Sequence, residues 1–239
     1  VALGPVLWVL ANSVKTLNEM TVAPLSLPHS VQWANYAEAW SEGHLDRYFA
    51  NTFLVAAFTI LMVVAAAVLA GFAFARLRFP GNRLLFFGFF FGMTIPTPIV
   101  LGPLLSLMFS LRLTNSLPGL ALAYAGHQLP FAILLTRSFF RQFPVEIEEA
   151  ARVDGCSGLA LLWRIILPLS LPALAVLIVL AFMNVWNEFF IALMLINSDK
   201  VKTVSLGLVA FQGEFATQYH LALAGIVISA LPVIAVYIL

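Results

Sequence analysis

The feature that most constrains this chain is a run of 23 residues, 53–75, in which Thr59 is the only polar side chain. At ~1.5 Å per residue, a helix of this length reaches about 35 Å, which is enough to cross a bilayer. The whole chain is strongly apolar: 62% of its residues are hydrophobic, 10% are charged and its mean hydropathy is +1.00. The sequence therefore predicts an all-α, polytopic membrane protein.

Further apolar segments complete a prediction of six transmembrane helices in one domain, residues 1–239. Residues 1–11 form the exit half of a first span, and the remaining spans cover residues 84–109, 117–136, 169–196 and 221–239. The segments 12–51 and 197–220 are predicted to be polar loops. Pro96, Pro98 and Pro103 interrupt the third span, which is tolerable where neighbouring helices satisfy the freed carbonyls. The chain begins without Met, and we expect both ends to be truncated.

One polar stretch, residues 144–172, has no lipid-related reason to exist and predicts a helical hairpin. Pro144 begins the first helix, and Gly155 offers a left-handed stop. Acidic residues lie where the helix dipole favours negative charge: Glu146, Glu148 and Glu149. Ser157 can cap the second helix, residues 159–166. Glu148 and Arg152 lie one turn apart and add slight helix support. Read without a partner, such a hairpin is a solvated amphipathic connection.

The hairpin resembles the EAA loop of the membrane subunits of bacterial ABC importers. The residues that carry this resemblance are Glu149, Ala150, Ala151, Gly155, Ile165, Leu167 and Pro168. Asp154, Trp163 and the run Trp186, Asn187, Glu188 look like the sugar-importer branch, in particular the maltose-type permease with six spans. The resemblance covers nearly the whole chain.

In that family the hairpin is a coupling helix that docks in a cleft of a cytoplasmic ATPase. The resemblance implies that residues 137–168 form a cytoplasmic coupling loop, with these ATPase-coupling residues: Glu146, Glu149, Ala150, Ala151, Asp154, Gly155 and Cys156. It also implies a homologous partner permease, an ATPase dimer that holds ATP and Mg, and an external substrate-binding protein. The loop expected to touch that binding protein contains Phe211, Gln212, Gly213, Glu214 and Phe215. The chain itself is expected to bind no cofactor.

The basic residues predict the orientation in a bacterial cytoplasmic membrane. Seven of the 12 lysines and arginines lie in the turn after residue 75 and in the hairpin loop: Arg76, Arg78, Arg83, Arg137, Arg141, Arg152 and Arg164. Because cytoplasmic loops carry an excess of positive charge, this side is predicted to be cytoplasmic, together with both termini.

No catalytic or metal-binding pattern is visible in the sequence. A phosphate-binding glycine loop with lysine is absent, so ATP hydrolysis requires another subunit. Cys156 is the only cysteine, which excludes an intrachain disulfide. A net charge of +1 disfavours nucleic acid as a partner. Polar residues within or near spans are possible pathway residues: His127, Gln128, Asn184, Asn187 and Glu188. Hydrogen bonding between helices, or an interfacial charge for Glu188, explains them equally well.

The leading hypothesis is therefore the permease subunit of an ATP-driven importer for a sugar or oligosaccharide. A secondary transporter driven by an ion gradient is the alternative, but it needs acids or unwound helices at membrane depth, and it gives the hairpin no role. A membrane-embedded enzyme is less favoured because paired acids are missing there. The sequence does not identify the solute, since glycerol phosphate or an amino sugar would fit equally well.

Overall fold

A computed structural model of the chain describes residues 3–156, 158–214 and 218–238, and for residues 152 and 210–214 it describes the backbone alone. Within these ranges the chain forms helices and no strand, as expected for an all-α protein. The α-helices are α1 (Gly4–Ser13), α2 (Leu17–Val22), α3 (Ala34–Ser41), α4 (Leu45–Arg76), α5 (Asn82–Gly92), α6 (Thr97–Ser110), α7 (Leu117–Phe140), α8 (Val145–Val153), α9 (Leu159–Leu161), α10 (Leu167–Leu169), α11 (Leu171–Asn187), α12 (Phe190–Leu195), α13 (Val204–Glu214) and α14 (Tyr219–Ile238). A π-helical segment, Leu162–Ile166, joins α9 to α10, and a 3₁₀ turn, Asp199–Val201, precedes α13.

Helices α4, α7 and α14 are each long and apolar enough to cross a membrane. Two further candidates are bent pairs: α5 and α6 meet at 104°, and the segment Leu159–Leu169 meets α11 at 77°. Pro96, which has an extended backbone, immediately precedes α6, so the chain leaves the helical conformation where the sequence predicted a break. The described chain thus holds three to five candidate spans, and the count of six stays a prediction.

The prediction that residues 12–51 and 197–220 are polar loops is wrong, because both segments contain helices. Residues 12–51 contain α2, α3 and the start of α4, while residues 197–220 contain α13 and the start of α14. The hydroxyl of Thr16 caps α2 by accepting a hydrogen bond from the backbone N–H of Glu19, at 3.2 Å. Packing against α14 supports α13. Short helices that depend on tertiary contacts carry little signal in composition.

The first of two compact units comprises Val1–Leu54, Asn115–Leu117 and Trp186–Leu239. In this unit α14 packs against α1, α2, α3 and α13. Its largest buried apolar side chains include Leu45, Tyr48, Ile191, Leu195 and Leu221. A Cβ atom at Gly207 would clash with the ring of Tyr48, so this glycine allows α13 to approach α4 closely.

The second unit comprises Val55–Thr114 and Pro118–Val185, and its core lies between α4, α7 and the chain that follows α8. Gly71 and Thr136 bring α4 and α7 close together, since a Cβ atom at Gly71 would clash with the Thr136 side chain. The Thr136 hydroxyl donates a hydrogen bond to the Ala67 carbonyl at 2.9 Å. These contacts hold α4 and α7 together, and α7 leads directly into the remainder of the segment 137–168.

Candidate functional site

The first half of the predicted hairpin is α8, which begins directly after Pro144 as expected. Glu148 and Ala151 are buried, and their spacing of three residues places them on the same face of the helix. Glu146, Glu149 and Ala150 are exposed. Helix α8 therefore has an inner face that packs within its own unit and an acidic outer face.

The end of α8 confirms the predicted left-handed stop. Gly155 has a φ of +86°, a backbone conformation in which any residue with a side chain would be strained. The Cys156 N–H donates to the Ala151 carbonyl at 2.8 Å, and the Asp154 N–H donates to the Ala150 carbonyl at 3.1 Å. The bond from Cys156 is the six-to-one bond of a Schellman motif, which satisfies a carbonyl left free at the helix end. Ser157, the predicted cap of the next helix, lies outside the described residues.

A buried ion pair fixes α8 to α4. Nε of Arg76, the last residue of α4, pairs with Oε1 of Glu148, and only 12% and 6% of the two side chains are exposed. Nη2 of Arg76 also donates to the Phe143 carbonyl at 2.9 Å. Sequence reasoning gave Glu148 the neighbouring Arg152 as a partner and did not detect Arg76, because a pairing between distant helices leaves no local spacing pattern.

A second arginine supports the same region from α7. Nε of Arg137 donates to the Phe74 carbonyl at 3.3 Å. Its guanidinium lies over the Phe86 ring, 3.7 Å from the centroid, a cation–π arrangement. Phe74 also makes an edge contact with Phe86. The end of α4, the start of α5 and the end of α7 thus share one aromatic cluster beneath α8.

The structure divides the predicted ATPase-coupling residues into outward-facing and inward-facing positions. The exposed members are Glu146, Glu149, Ala150, Asp154 and Gly155. Cys156 is half-buried and packs against the core of the second unit. Ala151 is 5% exposed and lies within that core. The Ala151 side chain therefore packs inside this chain, and the role of all seven residues in ATPase coupling stays a prediction.

Three of the predicted pathway residues line one cavity in the second unit. His127, Gln128 and Asn184 surround a space of about 290 Å³, together with the ring of Phe131. The amide of Asn184 donates to the Leu180 carbonyl at 2.9 Å. The lining carries amide and imidazole groups but no carboxylate, ammonium or guanidinium among the residues that surround it. Such a lining can exchange hydrogen bonds with a polar solute.

A sequence profile for the family described as "Binding-protein-dependent transport system inner membrane component" matches residues 63–239. The chain belongs to that family. It is 35% identical to the sulfoquinovosyl glycerol transport system permease protein SmoH of Agrobacterium fabrum, over 97% of this chain and 81% of the relative. It is 32% identical to the diacetylchitobiose uptake system permease protein NgcG of Streptomyces coelicolor, over 99% of this chain and 79% of the relative.

A solved structure has the same fold as this transport component. It is a crystal structure of a bacterial ABC transporter involved in the import of the acidic polysaccharide alginate. The TM-score is 0.86 at 26% identity, and the match covers 99% of this chain and 88% of that one. The family resemblance given by the hairpin motif is confirmed by these comparisons.

Two other pathway candidates of this transport component, Asn187 and Glu188, belong to the first unit. The Glu188 carboxylate accepts hydrogen bonds from the N–H groups of Ile191, at 2.8 Å, and Ala192, at 3.1 Å. It therefore caps the first turn of α12, where a negative charge is favourable. The predicted fifth span, residues 169–196, is interrupted here, because α11 ends at Asn187 and α12 begins at Phe190.

The predicted binding-protein loop is largely helical. Phe211, Gln212, Gly213 and Glu214 form the last residues of α13, and Phe215 lies outside the described residues. Residues 204–214 lie within the segment 197–220 that was predicted to be a polar loop, yet most of their side chains are apolar. The close approach that Gly207 permits against Tyr48 is the tertiary contact that sequence reasoning missed.

Proposed function

We propose that this chain is the membrane-spanning permease subunit of an ATP-driven importer for a sugar or oligosaccharide. Membership of a binding-protein-dependent transport family supports a transport role. The relatives named above are permease proteins of systems for diacetylchitobiose and for sulfoquinovosyl glycerol. The observation that carries the proposal is α8, a helix fixed to α4 by buried charge that keeps an acidic face exposed.

The exposed face of α8 and its turn is proposed to dock on a separate ATPase dimer, which holds ATP and Mg. Glu146, Glu149 and Asp154 can accept charge-assisted hydrogen bonds from basic residues of such a subunit. The sequence contains no phosphate-binding loop, and transport by this chain therefore depends on hydrolysis elsewhere. A homologous partner permease would supply the other half of the pathway.

The cavity lined by His127, Gln128 and Asn184 is proposed to be the part of the pathway that this subunit contributes. Amide and imidazole groups exchange hydrogen bonds with hydroxyl groups, and an aromatic ring such as Phe131 packs against the apolar face of a sugar. Its lining residues carry no charged group, so the charge of an anionic sugar would be met by another subunit of the pathway.

The end of α13, with Phe211, Gln212, Gly213, Glu214 and Phe215, is proposed to contact an external substrate-binding protein. The family description itself names dependence on a binding protein. The arginine-rich turn after α4 and the segment 137–168 would then lie in the cytoplasm, and both termini of the six-span arrangement would lie there as well.

The proposal is tested by reconstitution in liposomes with the proposed ATPase, partner permease and binding protein. The chain alone should hydrolyse no ATP, whereas the complete complex should hydrolyse ATP faster with sugar-loaded binding protein and accumulate the sugar. Uptake by the chain alone, driven by a proton or sodium gradient, would instead identify a secondary transporter.

A further inference from the structure

The family resemblance concerns the outer, partner-facing side of α8, whereas the charge on its inner side has no assigned role. Glu148 lies in the first turn of α8 and is 5% exposed. Its partner, Arg76, is the last residue of a continuous helix of 32 residues. The sequence motif does not use either residue as a contact to another subunit, and their burial leaves them unavailable for one.

We propose that Arg76 and Glu148 form a positioning pair that makes α8 and the end of α4 move as one body. A displacement of α8 then reaches a membrane-spanning helix directly and is not absorbed by the connecting segment 141–144. The inference rests on the proposed function, in which an ATPase displaces α8.

The geometry supports a rigid link because one guanidinium group contacts two parts of the hairpin. Arg76 pairs with Glu148 inside α8 and donates to the Phe143 carbonyl just before α8 begins. A planar guanidinium presents several donors in a fixed arrangement, which lysine does not offer. The two contacts resist both rotation and translation of α8 relative to α4.

The position of each charge also favours the pair. Arg76 lies at the C-terminal end of α4, and Glu148 lies near the N-terminal end of α8, where the helix dipoles favour a cation and an anion respectively. Separation of the two would leave both charges buried without a partner, which is strongly unfavourable. The link should therefore persist while the hairpin moves.

The test measures the ratio of solute taken up to ATP hydrolysed in the reconstituted complex. Glu148→Gln and Arg76→Gln should each lower this ratio at least tenfold while hydrolysis continues, since α8 still docks but no longer moves α4. Arg78→Gln changes an exposed arginine two residues further on and should leave the ratio unchanged.

The double variant Arg76→Gln with Glu148→Gln removes both charges and leaves no unpaired charge. It can therefore be measured even where a single variant does not fold. The ratio of solute taken up to ATP hydrolysed should fall in the double variant, but no further than in the worse single variant. Both substitutions break the same link, so their effects should not add. A normal ratio in the double variant, or a loss equal to the product of the single losses, would overturn the proposal. So would a fall in uptake that only follows the amount of assembled complex.

A second readout uses Cys156 in the chain alone and does not depend on transport. Loss of the pair should loosen α8 and increase the rate at which a maleimide labels this half-buried thiol. An unchanged labelling rate in both Gln variants would contradict the rigid link. A wild-type complex that fails to import would refute the proposed function, while the labelling result would still decide the structural link.

Discussion

The two compact units hold their connecting segments by different chemistry. In the second unit, two arginines fix the hairpin and the ends of its helices, and one of them forms a buried ion pair. In the first unit, three asparagines perform a comparable task beside one buried cation, because Lys15 is fully buried and its Nζ donates to the Ala23 carbonyl at 3.0 Å. Asn12 donates to the Trp8 and Pro24 carbonyls, Asn35 donates to those of Ser13 and Lys15, and Asn51 donates to those of Lys200 and Lys202.

The two kinds of link differ in how strongly each depends on its partner group. An asparagine amide has two N–H donors, so one side chain satisfies two backbone carbonyls without burying a net charge. A buried guanidinium depends on the carboxylate beside it, and removal of either one leaves a costly charge. The asparagine links should hold geometry steadily, whereas the ion pair should respond strongly to any loss of its partner.

The largest expected effect comes from Arg76→Ala, which leaves Glu148 buried without its cation. Loss of one partner of a buried pair typically costs about 3–5 kcal/mol of stability. We expect a clear fall in the midpoint of thermal unfolding of the purified protein in detergent. Arg78→Ala, at an exposed position, should leave the midpoint nearly unchanged; an equal fall in both variants would show that the loss does not come from the buried pair.

A smaller effect is expected from Asn51→Ala. The Asn51 amide donates to the Lys200 carbonyl at 3.0 Å and to the Lys202 carbonyl at 2.9 Å, and Asn51 is 7% exposed. Loss of these bonds should cost about 2 kcal/mol and should speed hydrogen exchange in residues 199–204. Asn18→Ala, at an exposed position, is the matched control. A loss as large as that of Arg76→Ala would mean that neutral links are as sensitive as charged ones.

The smallest effect concerns a charged link at the surface of the first unit. The Glu19 carboxylate accepts hydrogen bonds from the backbone N–H of His29 at 2.6 Å and contacts Nδ1 of its ring at 2.7 Å. The backbone hydrogen bond is the main cause that lowers the pKa of Glu19 below its ordinary 4.5.

Because the folded pKa is depressed, this link contributes above pH 4.5 and is lost as the pH falls through the lowered value. Limited proteolysis of residues 17–29 should increase on acidification of the native protein. In Glu19→Gln the susceptibility should be higher at neutral pH and should change little with acid; a native pH response in this variant would assign the effect to another group.

Local signals predicted the parts of the fold that local chemistry determines. The 23-residue apolar run, the helix start after Pro144 and the left-handed Gly155 all follow from residue type and spacing. The Arg76–Glu148 pair could not be predicted, because its partners meet only after α4 and α8 pack together. Helix α13 was missed for a similar reason, since the close contact between Gly207 and Tyr48 exists only in the folded chain.

The 104° bend between α5 and α6 bears on how many times the chain crosses the membrane. If α5 and α6 formed a re-entrant loop, the chain would return to the membrane face that carries Arg83. Helix α7 would then cross the membrane once, and α8 would lie on the face opposite Arg83. A pair that crosses, followed by α7, makes an even number of crossings between Arg83 and α8. The excess of positive charge predicts that both lie on the same face, and on that prediction the bent pair crosses the bilayer, with a backbone break at residues 93–96 that is exposed in this chain.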